Sequence, residues 1–360
     1  MNKKQNGVYI IAEAGVNHNG QKDLAFRLVD EAANSGVDAV KFQTFDAKKL
    51  AAVSVPKAAY QTKNTGVEET QLEMLSKLEL PKEWHLELQA YSKSKGVEFL
   101  STAFDLNSLM FLENLGMPLF KVPSGELTNS PLLWRFAKTG KPLILSTGMA
   151  KLAEVEEALA VITHALNADV EPSRTEDIWH CWGSHEHRQC LKEHVTLLHC
   201  TSQYPAPAHE VNLRAMDTLA ATFGLQVGYS DHTEGTLIPV AAVARGARVI
   251  EKHFTLDRGL PGPDHKASLE PTELRRMVRD IRTLEVALGD GMKVPQESEW
   301  DTRLASRQQV IAARDIHKGA EFSRQDLTTA RCGMGVPANV LWDLLGKTAH
   351  QDYLAGTPIL

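Results

Sequence analysis

Eight times along this chain a short apolar run breaks off into polar, often charged, residues, and each break is followed by a segment of helical periodicity. The runs are VYIIAEAG from Val8, AVKFQTF from Ala39, EFLSTAF from Glu98, LFKVPSGE from Leu119, PLILSTGM from Pro142, VTLLHCTSQYP from Val195, QVGYSDHT from Gln226 and RVIEKHFT from Arg248. Strand and helix alternating in this way predict an α/β fold, a parallel (β/α)8 TIM barrel. The C-terminal strand ends of such a barrel form its reactive face, so the tips converge on one cavity. Glu13, Lys41, Gln43, Thr102, Lys121, Ser124, Glu126, Ser146, Ser202, Tyr204, Ser230, His232, Glu251 and His253 are the residues expected to look into it.

A barrel built only for stability fills its upper layer with Val, Ile or Leu, whereas here Glu13, Lys41, Lys121, His232 and His253 occupy such positions. Burying an unpaired charge there costs several kcal/mol. Any one of these groups could snorkel to solvent or join a rim salt bridge. Together they mark chemistry, because perturbed titratable groups gather at functional sites.

Composition narrows the field. A chain of 360 residues, 43% hydrophobic and 6% aromatic, suits one large domain plus something small. A net charge of −6 with mixed signs gives no basic stripe, which argues against nucleic acid or an anionic membrane surface as partner. No apolar stretch is long enough to span a bilayer, and MNKKQNG runs into a first strand instead of a secretory apolar region. Four cysteines without framework spacing fit a reducing cytoplasm.

The barrel is expected over residues 1–289. LAFRLVDEAANSG places Leu24, Leu28 and Ala32 on one helical face before Gly36, and PTELRRMVRDIRTLEVALG carries Leu274, Met277, Val278, Ile281, Leu284 and Leu288 at the same spacing. The long connection from Ala47 to Lys82 follows the second strand on the reactive side and reads as a substrate loop or lid. Residues 290–302 read as a linker, and 303–360 as a small β-rich domain with strand-like runs QQVIAA, TTARC and TPIL. An insertion at about 169–194 holds Trp179, His180, Cys181, Trp182, His185, His187, Cys190 and His194. It reads as surface elaboration or an interaction loop; a zinc site is the alternative, although the spacing matches no structural finger.

His232 and His253 sit at matching points of consecutive strands, which suggests a divalent metal completed by water and substrate oxygens, with Asp231 and Glu251 as orienting neighbours. Lys41 and Lys121, with the hydroxyls of Thr102, Ser124, Ser146 and Ser230, describe a cradle for an anion such as phosphoenolpyruvate; a Schiff-base lysine is the competing interpretation. Glu13 is the best-placed carboxylate to handle a proton, unless it merely caps a helix entry.

The ordered set IIAEAGVNHNG, DAVKFQTF, FLSTAFD, KVPSGE, ILSTGMA, LLHCTSQYPAP, VGYSDHT, VIEKHFTLDR and PGPDHKASLEP resembles the bacterial N-acetylneuraminate (sialic acid) synthases and their relatives making legionaminic acid. The last segment resembles the antifreeze-like (SAF) domain these enzymes carry. The resemblance implies a cytoplasmic transferase of capsule or lipopolysaccharide biosynthesis that condenses phosphoenolpyruvate with an acylated amino sugar aldehyde and releases phosphate. N-acetylmannosamine is the first expectation, and 2,4-diacetamido-2,4,6-trideoxymannose, giving N,N'-diacetyllegionaminate, is the alternative. It further implies Mn2+ or Mg2+ on His232 and His253, and phosphoenolpyruvate on Lys41, Thr102, Lys121, Ser124, Ser146, Ser202 and Ser230. The sugar would meet Gln43, Asn64, Glu126, Tyr204, Asp264 and, from the partner in a domain-swapped homodimer, Arg331. The chain departs from the family pattern at Ala103, Ser202 and Cys332. Two other readings stand beside this one: a metal-dependent aldolase using pyruvate, and a sugar-binding or ice-binding-like module whose barrel has lost activity.

Overall fold

The computed structural model describes residues 7–360. One unit ends at Gly289 and a second runs Asp290–Leu360. In the first, strands β1 (Tyr9–Gly15), β2 (Ala39–Thr44), β3 (Glu98–Ala103), β4 (Phe120–Val122), β5 (Leu143–Ser146), β6 (Val195–Cys200), β7 (Gln226–Asp231) and β8 (Val249–His253) each fall inside one of the eight apolar runs. They form one sheet in the order β3-β2-β1-β8-β7-β6-β5-β4, parallel throughout. Strands β3 and β4, at the two ends of that order, lie side by side, so the sheet curls into a nearly closed barrel.

Alternation along the strands stacks the barrel interior in layers. Tyr9, Ile11, Ala39, Leu100, Leu119, Ile144, Leu198 and Val249 make an apolar plug. The next inward positions are Glu13, Lys41, Thr102, Lys121, Ser146, Cys200, Ser230 and Glu251, all buried. The plug therefore lifts a polar floor toward the C-terminal face. Outward-facing Val40, Phe42, Phe99, Phe120, Leu145, Leu197, Tyr229 and Ile250 join the core between barrel and helices.

The first helix, Lys22–Ser35, buries Ala25, Leu28, Val29 and Ala32 and ends on the left-handed Gly36. The last barrel helix, Pro271–Leu288, buries Leu274, Met277, Val278 and Ile281, while Leu288 is exposed. Its Arg282 bonds Asp38 at 2.6 Å and the Val8 carbonyl at 2.7 Å, fastening the end of the barrel to its beginning.

Three regions differ from the sequence reading. The 47–82 connection, read from the sequence as a substrate loop or lid, carries short helices Ala47–Leu50, Ala59–Thr65 and Gln71–Ser76. The 290–302 linker contains a turn of 3-10 helix, Glu297–Glu299, and enters helix Trp300–Ser306. The 169–194 insertion is helical at Thr175–Trp182, His185–Gln189 and Leu191–His194, and Trp182 donates to Glu156 at 3.0 Å. There Cys181 Sγ lies 3.4 Å from His187 Nδ1 and Cys190 Sγ donates to the His187 carbonyl. Among the described residues no three His, Cys, Asp or Glu are grouped to hold a metal.

In the second unit, β9 (Gln309–Ala312) pairs antiparallel with β10 (Leu327–Ala330) over a core of Val310, Ala312, Ile316, Phe322, Leu327, Leu341, Tyr353 and Ile359. The TPIL run contributes an isolated bridge, Ile311 to Pro358, instead of a strand. Among the described residues no helix is long and apolar enough to cross a membrane.

Candidate active site

A cavity of about 470 Å³ opens at the C-terminal ends of the strands. Of the residues expected there from the sequence, Glu13, Lys41, Gln43, Thr102, Lys121, Ser124, Glu126, Ser146, Ser202, Tyr204, Ser230, His232, Glu251, His253 and Asp264 line it. Asn64 does not; it donates to the Pro263 carbonyl at 2.7 Å and so tethers the lid to the loop that carries Asp264. Arg331 follows β10 in the second unit and is exposed.

The floor is a buried quartet of two lysines and two carboxylates. Lys41 lies 2.5 Å from Glu13 and 3.5 Å from Glu251, and donates to Thr102 at 2.8 Å. Lys121 lies 2.8 Å from the other Glu251 oxygen, which also accepts from Ser230 at 2.8 Å. The strand register sets this up, because Glu13 stands opposite Lys41 on β2 and Ser230 opposite Glu251 on β8. The lysine cradle is therefore charge-balanced before any anion arrives.

The two carboxylates titrate apart. Burial would raise Glu251, but the Lys121 and Lys41 ammonium groups outweigh it and hold its pKa well below the usual carboxylate range. Burial dominates at Glu13, whose pKa is raised despite Lys41, with the Glu251 charge pushing the same way. Separated environments of this kind distinguish a permanent counter-ion from a group that exchanges protons. Glu251 is held ionised between the two lysines, and Glu13 is the more basic of the two.

Asp264 is pushed up to about 7 by burial, with the Glu13 carboxylate adding to the effect. A carboxyl whose folded pKa exceeds its unfolded value stabilises the fold fully below the unfolded pKa, and the contribution is lost as pH rises through the folded one. The ligand-free protein should thus lose up to a few kcal/mol between pH 4 and 8 from this group. Asp264→Asn should flatten that part of the decline, read as a smaller drop in Tm across the range; an unchanged slope would contradict the burial of a charge-reluctant Asp264.

At the rim, His232 and His253 stand with ring centroids 5.5 Å apart and Tyr204 packed 4.1 Å from His232. Burial lowers His232 to about 4, and burial together with the neighbouring His232 holds His253 well below the ordinary imidazole value, so both rings favour the neutral form. His232 Nδ1 bonds the Thr201 carbonyl at 2.7 Å, which leaves Nε2 as its free lone pair. Neither Asp231 nor Glu251 orients these rings as the sequence suggested. Asp231 faces outward and is paired with Lys252 at 2.6 Å, both fully buried, while Glu251 serves the lysines.

Cys200, Gly148 and Gly15 shape the cavity but escaped the sequence reading. Cys200 points inward with its Sγ 3.2 Å from Ser124 Oγ, and the Gly148 amide donates to the same hydroxyl at 3.0 Å. A Cβ on Gly148 would collide with Ser202 Oγ and approach Cys200 Sγ and Ser124 Oγ to 2.8 Å, so only glycine keeps this cluster of hydroxyls open. Ser146 Oγ is buried without a hydrogen-bond partner. At the bulge ending β1, Gly15 has φ +52°, and a Cβ there would sit 3.3 Å from Glu13 Oε1 and 3.4 Å from His253 Cε1.

Comparison with known proteins decides the family. The NeuB family model matches residues 28–293 and the SAF domain model residues 307–360. The chain belongs to the NeuB family. It is 48% identical to the N,N'-diacetyllegionaminic acid synthase of Campylobacter jejuni over 344 residues, 96% of each chain. It is 45% identical to the enzyme of that name from Legionella pneumophila, across 100% of this chain and 98% of the other. The crystal structure of an N-acetylneuraminic acid synthetase from Leptospira borgpetersenii superposes with a TM-score of 0.66 at 34% identity, covering 82% of this chain and 90% of that one. This NeuB-family enzyme thus has named nonulosonic acid synthases as relatives over nearly its whole length.

Proposed function

We propose that this enzyme condenses phosphoenolpyruvate with 2,4-diacetamido-2,4,6-trideoxymannose and water to give N,N'-diacetyllegionaminate and phosphate. The sequence reading put N-acetylmannosamine first; the full-length similarity to two legionaminic acid synthases, at higher identity than the sialic acid synthetase structure, favours the other sugar. The observation that carries the chemistry is the buried Glu13–Lys41–Glu251–Lys121 quartet beneath a ring of hydroxyls.

In this reading Lys41 and Lys121, with Thr102, Ser124, Ser146, Ser202 and Ser230, hold phosphoenolpyruvate, the unpartnered Ser146 hydroxyl donating to it. Gln43, Glu126, Tyr204 and Asp264 hold the acceptor. C3 of phosphoenolpyruvate bonds to the aldehyde carbon, water adds at C2, and the bond between C2 and the phosphate oxygen breaks. Glu13, the more basic of the two carboxylates, takes the proton of the attacking water. Gln43 donates to Glu13 at 3.2 Å and fixes its orientation.

Two neutral imidazoles, with His253 Nδ1 buried and unpartnered, fit a divalent cation that takes its remaining ligands from oxygen. His232 and His253 would hold Mn2+ or Mg2+, which supplies polarisation of the aldehyde carbonyl when bound.

Oxygen-18 in the bridging position of phosphoenolpyruvate should appear in phosphate; label retained in the keto acid would rule out the proposed bond cleavage. Phosphate release should require both substrates and stop on chelation, and turnover of pyruvate in place of phosphoenolpyruvate would favour an aldolase. The swapped homodimer carrying Arg331 belongs to the same proposal. Mixed and reassembled Arg331→Ala and His253→Ala subunits should regain some activity, and no recovery despite subunit exchange would count against it.

A further inference from the structure

The cavity has two natures. Its floor is charged, whereas Val16, Phe45, Leu50, Met74, Leu78 and Phe104 bring apolar side chains to its upper part, joined by Leu75. These residues form a cluster separate from the barrel core, in which the lid packs onto residues just beyond the ends of β1, β2 and β3. Register places the cluster above the floor, since Phe45 and Phe104 are the inward positions following Gln43 and Thr102. Met74 and Leu78 are buried, while Leu50, Leu75 and Phe104 keep part of their surface toward the cavity. Gln71 lines the same space, and among the described residues its carboxamide makes no hydrogen bond, while its backbone N–H donates to the Val55 carbonyl at 3.0 Å.

We infer that this apolar shelf and the Gln71 carboxamide select the acceptor, taking its 6-deoxy methyl and its second acetamido group. The inference rests on the legionaminate reading above. An acceptor with its aldehyde at the floor must send its remaining carbons upward, toward the lid. A hydroxyl at C6 pressed on Leu50, Leu75 and Phe104 would lose water without gaining a partner, an unfavourable exchange, while a methyl there removes apolar surface from water. The second acetamide brings one donor and one acceptor, which a carboxamide can answer with both of its own. N-acetylmannosamine offers neither group, so it leaves Gln71 unanswered and sets a hydroxyl against the shelf.

The test compares kcat/KM for 2,4-diacetamido-2,4,6-trideoxymannose and N-acetylmannosamine, by phosphate release from the full chain. The ratio is measured for wild type, Leu75→Asn and Gln71→Leu. Wild type should favour the diacetamido sugar. Leu75→Asn should lower the ratio at least about tenfold and Gln71→Leu about fivefold or more, through the KM of the sugar and not that of phosphoenolpyruvate. Ratios within twofold of wild type in both variants would overturn the shelf while leaving the function standing. Should Leu75→Asn not fold, the Gln71→Leu ratio decides alone. A wild-type enzyme preferring N-acetylmannosamine, or using neither sugar, would overturn the functional reading itself and the shelf with it.

Discussion

Replacing Lys121 by Met should lower kcat/KM for phosphoenolpyruvate by about a thousandfold, because an ammonium–phosphate attraction at 4 Å in an effective dielectric near 20 is roughly 4 kcal/mol and each 1.36 kcal/mol is a decade. A second effect compounds the first. Glu251 would keep only Lys41, at 3.5 Å, so a carboxylate now held ionised by two lysines would face the incoming anion with less compensation. The double variant Lys121→Met with Glu251→Gln separates the two effects. It should recover the Tm lost in the single variant, since no half-paired charge stays buried, yet remain as inactive. Steady-state phosphate release and thermal unfolding read the two quantities. A Lys121→Met enzyme within tenfold of wild-type kcat/KM would mean that the floor is not where the anion binds.

The barrel was legible because each strand advertises itself twice, through an apolar run and through the polar residue that ends it. The polar floor was legible for a similar reason: Lys41, Lys121 and Glu13 stand at inward positions two residues beyond Ala39, Leu119 and Ile11, and an apolar strand does not carry such residues without cause. Pairing was harder. Asp231 and Glu251 each neighbour a metal-type histidine in sequence, so both were read as its orienting partners. Strand parity separates them: Ser230, His232, Glu251 and His253 share the inward face, while Asp231 and Lys252 sit one residue out of step and must face the helices. That signal lay in SDH and IEKH all along. The short helices of residues 47–76 and 297–306 left no comparable trace, since three to seven residues hold too few turns to show a period. Asn64 makes a tertiary bond to the Pro263 carbonyl instead of lining the cavity, a contact that no spacing encodes. Cys200 has the right parity, but a thiol within LLHC reads as a small hydrophobe.

The outward pair predicts the largest change in stability. Asp231 and Lys252 are fully buried outside the barrel wall, 2.6 Å apart, with Thr233 also donating to the carboxylate and Lys252 donating to the Thr233 carbonyl. Their geometry satisfies both charges, so removing one partner strands the other in a medium that cannot solvate it. Lys252→Met should destabilise the barrel by about 3–5 kcal/mol, seen as a Tm lower by roughly 10 °C. The double variant Asp231→Asn with Lys252→Met should regain most of the loss, because a neutral amide can still accept from Thr233 and a methionine fills the volume of the lysine stem. A single variant within 1 kcal/mol of wild type would show that water reaches the pair. A double variant no better than the single would show that packing of the Lys252 stem, and not its charge, holds β7 and β8 to the surrounding helices.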